Sequence, residues 1–285
     1  MVMAAFERLN IVRRQPRKES SIGWCGPYDA NVLGGLLVGI GMALTGACPG
    51  TVLVQLTTGV KSGILTALGG LMGGILFARF GSALKSGLSA STPPLEAKAH
   101  TIHTKFDINP DHVLLAYEVL CLALIGGFSV FGLNRSAPLL HPIVGGALIG
   151  GAQAASLLLT GNAVGVSTAY EEAGRFFWYL FAPGKQGGRP PTKAMMFALG
   201  ILIGSFALSQ SMVHTTAQMT GISGVRALLG GCTMVFGARL AGGCTSGHGI
   251  SGMSSFSISS IITVIAMFGG GILTARFFGY RGPRS

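Results

Sequence analysis

The fold of this protein is decided by residues 30–60, which read ANVLGGLLVGIGMALTGACPGTVLVQLTTGV and contain no Asp, Glu, Lys or Arg. A helix crosses the roughly 30 Å hydrocarbon core of a bilayer with about 20 residues. A charge-free stretch of this length must therefore break or turn within the membrane. Gly46-Ala-Cys-Pro-Gly50 is the point at which it can do so. Because proline favours the first turn of a helix, Cys48 is predicted to lie near the N-cap of a new helix.

Two later charge-free stretches contain similar interruptions. Residues 136–170 include Gly161-Asn-Ala-Val-Gly165, and residues 240–275 include Gly242-Gly-Cys-Thr-Ser-Gly-His-Gly249. Irregular backbone is tolerated at membrane depth only where it is buried in protein or lines an aqueous cavity. We therefore predict an all-α integral membrane protein, a helical bundle in which broken, re-entrant half-helices meet at Gly/Cys/Pro loops.

The composition supports a membrane protein. Of the 285 residues, 49% are hydrophobic and only 10% are charged, whereas soluble domains carry about 25% charged residues. The net charge of +11 comes from basic residues that mostly flank apolar stretches, as topology signals do. This pattern argues against a soluble enzyme and against a nucleic-acid partner. Five cysteines without CxxC spacing argue against a disulfide framework or a metal site.

A pattern in the first stretch recurs near the C-terminus. Leu33-Gly-Gly-x5-Gly41-x2-Leu44-x-Gly46-x-Cys48 returns as Leu229-Gly-Gly-x5-Gly237-x2-Leu240-x-Gly242-x-Cys244. Further on, Gly73-Gly-Ile-Leu-x-Ala-Arg-Phe80 returns as Gly270-Gly-Ile-Leu-x-Ala-Arg-Phe277. Transporters are often built from such repeats, and their substrate sites lie at the repeat interface on discontinuous helices.

The predicted organisation is a single membrane domain between two short basic segments. The domain covers residues 30–280, with repeats at about 33–80 and 229–277 and a weaker middle copy at about 144–170. Residues 1–29 form a basic N-terminal segment, and residues 281–285 form a basic tail.

The loops predict a site for an anion that contains sulfur. A helix N-terminus offers free N–H groups and a partial positive charge to an anion. A thiol adds a soft sulfur and a weak donor. We expect the cysteines to have no charged neighbours, since weak binding suits passage. The candidate substrate-binding residues in these loops are Gly46, Cys48, Pro49, Gly50, Asn162, Gly243, Cys244, Thr245, Ser246 and His248.

The segments Gly39–Thr51, Gly161–Ser167 and Gly237–Gly252 resemble the YeeE/YedE family, a sulfur-transport family. The resemblance implies an all-helical, internally symmetric, multi-pass protein of the cell membrane. It also implies uptake of thiosulfate, or a related sulfur compound, past pore-lining cysteines through S–H···S and N–H contacts without covalent turnover. Matched by motif, these cysteines are Cys48 and Cys244. The family uses a third cysteine, for which Cys232 and Cys121 are the candidates here.

Two other functions remain open: a membrane sulfur-transfer protein that forms a persulfide on Cys48 or Cys244, and a channel for a neutral solute. We expect no enzymatic activity, no cofactor and no metal; the lipid bilayer and small thiol-carrier proteins on the cytoplasmic side are the expected partners. Glu171 and Glu172 fit either a proton-coupling pair or a helix cap at the interface. Arg239 either attracts the anion or forms a structural ion pair.

Overall fold

The computed structural model describes residues 17, 19–24, 26–86, 101, 109–131, 142–160, 165–181, 190–211 and 222–278. Within these ranges the chain forms nine α-helices and one π-helical turn, with an isolated β-bridge between Thr101 and Ser257. The all-helical class is confirmed for this part of the chain. The helices are α1 (Asp29–Thr45), α2 (Pro49–Thr57), α3 (Lys61–Ser86), α4 (Pro110–Phe131), α5 (Pro142–Thr160), α6 (Ser167–Phe181), α7 (Lys193–Ser211), α8 (Gly224–Leu240) and α9 (Ile258–Phe277), and the π-helical turn is Ser246–Gly252.

Four helical stretches among the described residues are long and apolar enough to cross a membrane. Their outward surfaces carry large apolar side chains: Ile64, Ile203 and Ile265 are each more than half exposed. Extended apolar surfaces of this kind mark contact with a membrane or a partner. The four stretches are Asp29–Thr57, Lys61–Gly81, Lys193–Gln210 and Ile258–Phe277.

The first stretch is interrupted where the sequence predicts a break. Helix α1 ends at Thr45, and Gly46 follows in the left-handed conformation (φ 65°) with its N–H bonded to the carbonyl of Met42. Glycine adopts this conformation without the strain that a Cβ would cause. The chain is extended at Cys48, and Pro49 opens α2. A left-handed glycine and an N1 proline thus separate two helices within three residues.

The centre of the bundle consists of α1, α3, α8 and α9. Helix α1 packs against both α8 and α9, and α8 also packs against α3. Glycines allow these backbones to approach closely: a Cβ added to Gly34 would lie 2.6 Å from the Gly237 carbonyl oxygen. A Cβ on Gly39 would overlap with the Met267 carbonyl. Small residues serve this purpose in membranes, where helix association depends on close packing.

One buried side chain near the N-terminus of α1 joins several elements. Asn31 is fully buried, and its amide donates to the carbonyl of Ala241 (3.1 Å) and to the hydroxyl of Thr263 (2.9 Å). Its Oδ1 accepts the N–H of Ser20 at 2.9 Å. A buried amide without partners is costly. These three bonds therefore fix the N-terminal segment, α9 and the break that contains Cys244 (residues 241–245, called the second break below) relative to α1.

The packing predicts that Gly39→Ala destabilises the protein by about 1–3 kcal/mol, because the added methyl group must push α9 away from α1. Thermal unfolding of the purified protein in detergent measures the effect. Gly204→Ala on α7 is the matched control, since a Cβ there meets no atom within 4 Å. Equal melting temperatures for both variants would contradict this interpretation of the interface.

Candidate functional site

The two interruptions around Cys48 and Cys244 lie close together in the folded chain. Ala47 and Cys244 belong to one buried apolar cluster, whose other members come from α1, α2, α8 and α9. Tyr170, on α6, lies within electrostatic range of both cysteines, and its hydroxyl donates to the carbonyl of Pro49 (3.1 Å). The first and last loops and the start of α6 therefore surround a common point.

Cys48 caps α2, as its position before Pro49 predicts. Its backbone N–H donates to the hydroxyl of Thr51 (2.7 Å), and its Sγ accepts from the Thr51 N–H (3.4 Å). The Cys48 side chain is half-buried. Thr51 was not among the predicted site residues, although a hydroxyl residue three positions after an N-cap is the recognisable signal of a capping box.

Cys244 is almost completely buried, and its sulfur is surrounded by polar hydrogens from two segments. Ser246 Oγ lies 3.1 Å from Cys244 Sγ. The N–H of Gly247, and both the N–H and the hydroxyl of Ser167, also lie within hydrogen-bonding reach of the sulfur. Ser167 is the first residue of α6, so a helix N-terminus points at this thiol. The local pattern around Cys244 gives no sign that Ser167 is its neighbour.

The loop after Cys244 forms a π-helical turn in place of an ordinary helix start. Gly242 adopts the left-handed conformation (φ 84°), and the Gly243 N–H returns to the Ala238 carbonyl at 2.8 Å. The turn follows at Ser246–Gly252. Such π-helical turns are rare and occur frequently at functional sites.

His248 is fully buried, and both of its ring nitrogens are occupied. Nδ1 lies 2.9 Å from the hydroxyl of Ser260, and Nε2 lies 3.2 Å from the carbonyl of Ala241. A carbonyl can only accept, so Nε2 carries a proton. The ring therefore ties the π-helical turn to α9 and does not bond to the Cys244 thiol. Thr245 is likewise occupied, with its hydroxyl 3.3 Å from the sulfur of Met42.

Of the remaining cysteines, two lie on α8 and α4 and one lies outside the described residues. Cys232 is half-buried on α8, and within the described chain it makes no hydrogen bond to Cys48 or Cys244. Cys121 is half-buried on α4, near Tyr117 of the same helix. Asn162 and Cys25 belong to the residues that the structure does not describe.

The two glutamates at the start of α6 have different partners. Glu171 is buried and forms ion pairs with Arg239 and with Arg175 (2.6 Å). Glu172 accepts the N–H of Met195 at 2.9 Å, which caps the first turn of α7. Of the two alternatives for Arg239, the structure contains the ion pair.

The expectation that no charged residue adjoins the cysteines is wrong. The Arg17 guanidinium interacts electrostatically with both Cys244 and Arg239, and it donates to the carbonyl of Gly242 (3.0 Å). Sequence reasoning missed Arg17 because it assigned the basic N-terminal residues to membrane topology. Its actual neighbour lies 225 positions along the chain, a distance that no local pattern encodes.

This geometry combines two thiols, helix N-termini and cations, and a comparison with known families shows which family the chain belongs to. The family model described as Sulphur transport matches residues 1–273. The chain belongs to this family. It is an integral, multi-pass membrane protein, and the resemblance to the YeeE/YedE proteins is confirmed.

The curated relatives of this sulphur transport family member include two proteins described as probable transporters, from two strains of Xylella fastidiosa. Each is 30% identical to it over 139 residues, which amount to 49% of this chain and 94% of the relative. Almost the whole relative therefore corresponds to about half of the present chain.

The buried ion pair predicts that Glu171→Gln destabilises the protein by about 3–5 kcal/mol, because Arg239 loses its counter-charge in a dry environment. Arg175→Gln is the control: its side chain is 51% exposed, and we expect a loss below about 1 kcal/mol. Melting temperatures in detergent compare the two. The double variant Glu171→Gln/Arg239→Gln should recover most of the loss, and failure to do so would contradict charge pairing as the cause.

Proposed function

We propose that this protein conducts thiosulfate, or a related sulfur-containing anion, across the membrane past Cys48 and Cys244. The carrying observation is that the two interrupted segments meet, since Ala47 and Cys244 share one buried apolar cluster and Tyr170 donates to the Pro49 carbonyl. The substrate would move by S–H···S and N–H contacts, and no bond to it would form or break. Conduction requires several sites along the path, each of which binds the substrate weakly enough to release it.

The chemistry at Cys244 favours an anion that contains sulfur. The N–H and O–H groups around its Sγ, contributed by Ser167, Ser246 and Gly247, are donors that suit negative charge. A polarizable thiol next to them suits a soft sulfur atom. A neutral solute would make no use of the cation next to this thiol, and it would gain little from the N–H groups at the start of α6.

We further propose that the site lies between two internal repeats with re-entrant half-helices. Gly46 and Gly242 occupy the same place in the repeated pattern, and both are left-handed. A Cβ on Gly35 would meet the carbonyl of Thr263, and a Cβ on Gly231 would meet that of Thr66. Gly35 and Gly231 are 196 residues apart in the chain. Cys48 and Cys244 are separated by the same 196 residues.

Two further observations support this architecture. Helix α2 has nine residues, about 14 Å at 1.5 Å per residue, which is too short to cross a bilayer. The Xylella relatives, matched over 94% of their length by 49% of this chain, have the size expected for one half of a duplicated protein. The single membrane domain over residues 30–280, with repeats at about 33–80 and 229–277 and a weaker middle copy at about 144–170, follows from this proposal.

A persulfide intermediate is the less favoured alternative. A nucleophilic cysteine needs a nearby base, and His248, the histidine in the same loop, has both ring nitrogens occupied by other groups. Mass spectrometry of the protein incubated with thiosulfate separates the two mechanisms. A mass increase of one sulfur on Cys48 or Cys244 would favour persulfide chemistry, and an unmodified cysteine would favour a non-covalent passage.

Uptake of labelled thiosulfate into proteoliposomes tests the proposal directly. Cys48→Ser and Cys244→Ser should each reduce uptake about tenfold or more while the protein remains folded, because a hydroxyl replaces the soft sulfur contact. Gly204→Ala on α7 is the control, since a Cβ there meets no atom within 4 Å. Unchanged uptake in both serine variants would refute a cysteine-lined passage.

Competition with unlabelled anions defines the substrate class in the same vesicles. Thiosulfate and its selenium analogue should compete more strongly than sulfate, which lacks a terminal soft atom. Cys232→Ser and Cys121→Ser extend the series to the two candidates for the third cysteine, and loss of uptake is expected in the variant whose cysteine lies on the path. Equal competition by all these anions would contradict recognition by thiols.

A further inference from the structure

Part of the basic N-terminal segment is fixed against the site. Residues 17 and 19–24, which we call the N-terminal strap, lie across the second break and the start of α9. The carbonyl of Arg17 accepts hydrogen bonds from the hydroxyls of Ser257 and Ser259, each at 3.0 Å. The Ser20 hydroxyl donates to the carbonyl of Leu240 at 2.8 Å. These bonds hold the strap in one position and determine where the Arg17 side chain can reach.

The Arg17 guanidinium lies among three glycines from two separate segments. Its Nη2 lies 2.9 Å from where a Cβ on Gly247 would be, and 3.5 Å from that of Gly165. Its Nη1 lies 3.4 Å from the corresponding position at Gly243. A side chain at Gly247 would force the guanidinium to move. The absence of side chains at these glycines therefore makes room for a planar cation next to the π-helical turn.

This cation is adjacent to the Cys244 thiol. Gly243 and Gly247 lie on either side of Cys244 in the chain, and both lie next to the Arg17 guanidinium. Electrostatic interaction between Arg17 and Cys244 follows from this proximity. The guanidinium and the thiol thus border the same small region.

The charge of Arg17 is not balanced by any carboxylate in the described part of the chain. The charged neighbour of Arg17 is Arg239, which has the same sign, and Glu171 is engaged with Arg239 and Arg175. Arg17 uses Nη1 on the Gly242 carbonyl, a neutral acceptor. A half-buried guanidinium without a counter-ion is unfavourable by itself, and its forked donors match the oxygens of an oxyanion.

We propose that Arg17 binds the oxygen atoms of a sulfur oxyanion whose terminal sulfur faces Cys244. The inference rests on the proposed function and specifies it: the preferred substrate carries both oxygens and a soft sulfur on a dianion, as thiosulfate does. Arg17 provides the charge and orientation, and Cys244 provides the contact to sulfur. Sulfide and neutral sulfur compounds lack the oxygens and use only half of the site.

Arg17→Gln tests the proposal in the uptake assay, because glutamine retains a donor but loses the charge and the fork. Loss of a charge-assisted hydrogen bond should raise the KM for thiosulfate about 10- to 100-fold, with a smaller change in the maximal rate. Arg17→Lys should fall between glutamine and the native residue, since lysine keeps the charge without the bidentate geometry.

Two control variants separate the charge from its surroundings. Arg226→Gln removes an exposed cation that stacks on Phe278, and uptake should not change. Ser20→Ala removes an anchor of the strap, the bond to the Leu240 carbonyl, while Arg17 is kept. Because the strap positions Arg17, Ser20→Ala should raise the KM by a smaller factor than Arg17→Gln does. A raised KM in Ser20→Ala together with a native KM in Arg17→Gln would overturn the proposal.

Melting temperatures measured with different anions test binding at Arg17 without relying on transport. Thiosulfate and sulfate should raise the melting temperature of the native protein above that in chloride of equal ionic strength, and Arg17→Gln should abolish the increase. This result without any uptake would refute the conduit and retain the Arg17 site. Uptake that is identical in the native protein and in Arg17→Gln would refute the site and retain the conduit. Absence of both uptake and stabilisation in the native protein would overturn both.

Discussion

The structure depends on satisfying backbone hydrogen bonds where its helices are interrupted. At the first break, the N–H groups of Gly46, Ala47 and Cys48 bond to Met42, Thr45 and Thr51. At the second break, those of Ala241, Gly242 and Gly243 return to carbonyls of α8. In a bilayer no water replaces a missing partner. At both breaks these N–H groups are therefore bonded within the protein.

Close helix packing keeps these turns together. The glycines of α1, α8 and α9 bring backbones into contact, and Asn31 ties α1 to the second break and to α9. Lipid provides no hydrophobic force between helices, so shape and hydrogen bonds determine the arrangement. The same contacts bring the segments that carry Cys48 and Cys244 into one cluster, and they leave the outer helix faces apolar.

The two arginines near the site, Arg239 and Arg17, have different charge environments. The Arg239 charge is balanced by Glu171 within the protein, whereas Arg17 borders the thiol with a neutral carbonyl as its bonded partner. An anion that enters this region meets a cation that has no carboxylate partner among the described residues, together with polar groups around Cys244. This favours negative charge while the contacts remain few, which is compatible with release.

The sequence by itself determined the all-helical class, the two interruptions and the capping role of Cys48, because a left-handed glycine and an N1 proline act through local geometry. It also carried the family motifs. Only the tertiary structure decided that Ser167 and Arg17 meet Cys244 and that Glu171 pairs with Arg239. These partners are separated by between 68 and 227 positions in the chain, and such contacts depend on how helices pack, which residue periodicity does not encode. A basic residue near the N-terminus looks the same in sequence whether it faces lipid headgroups or a buried thiol.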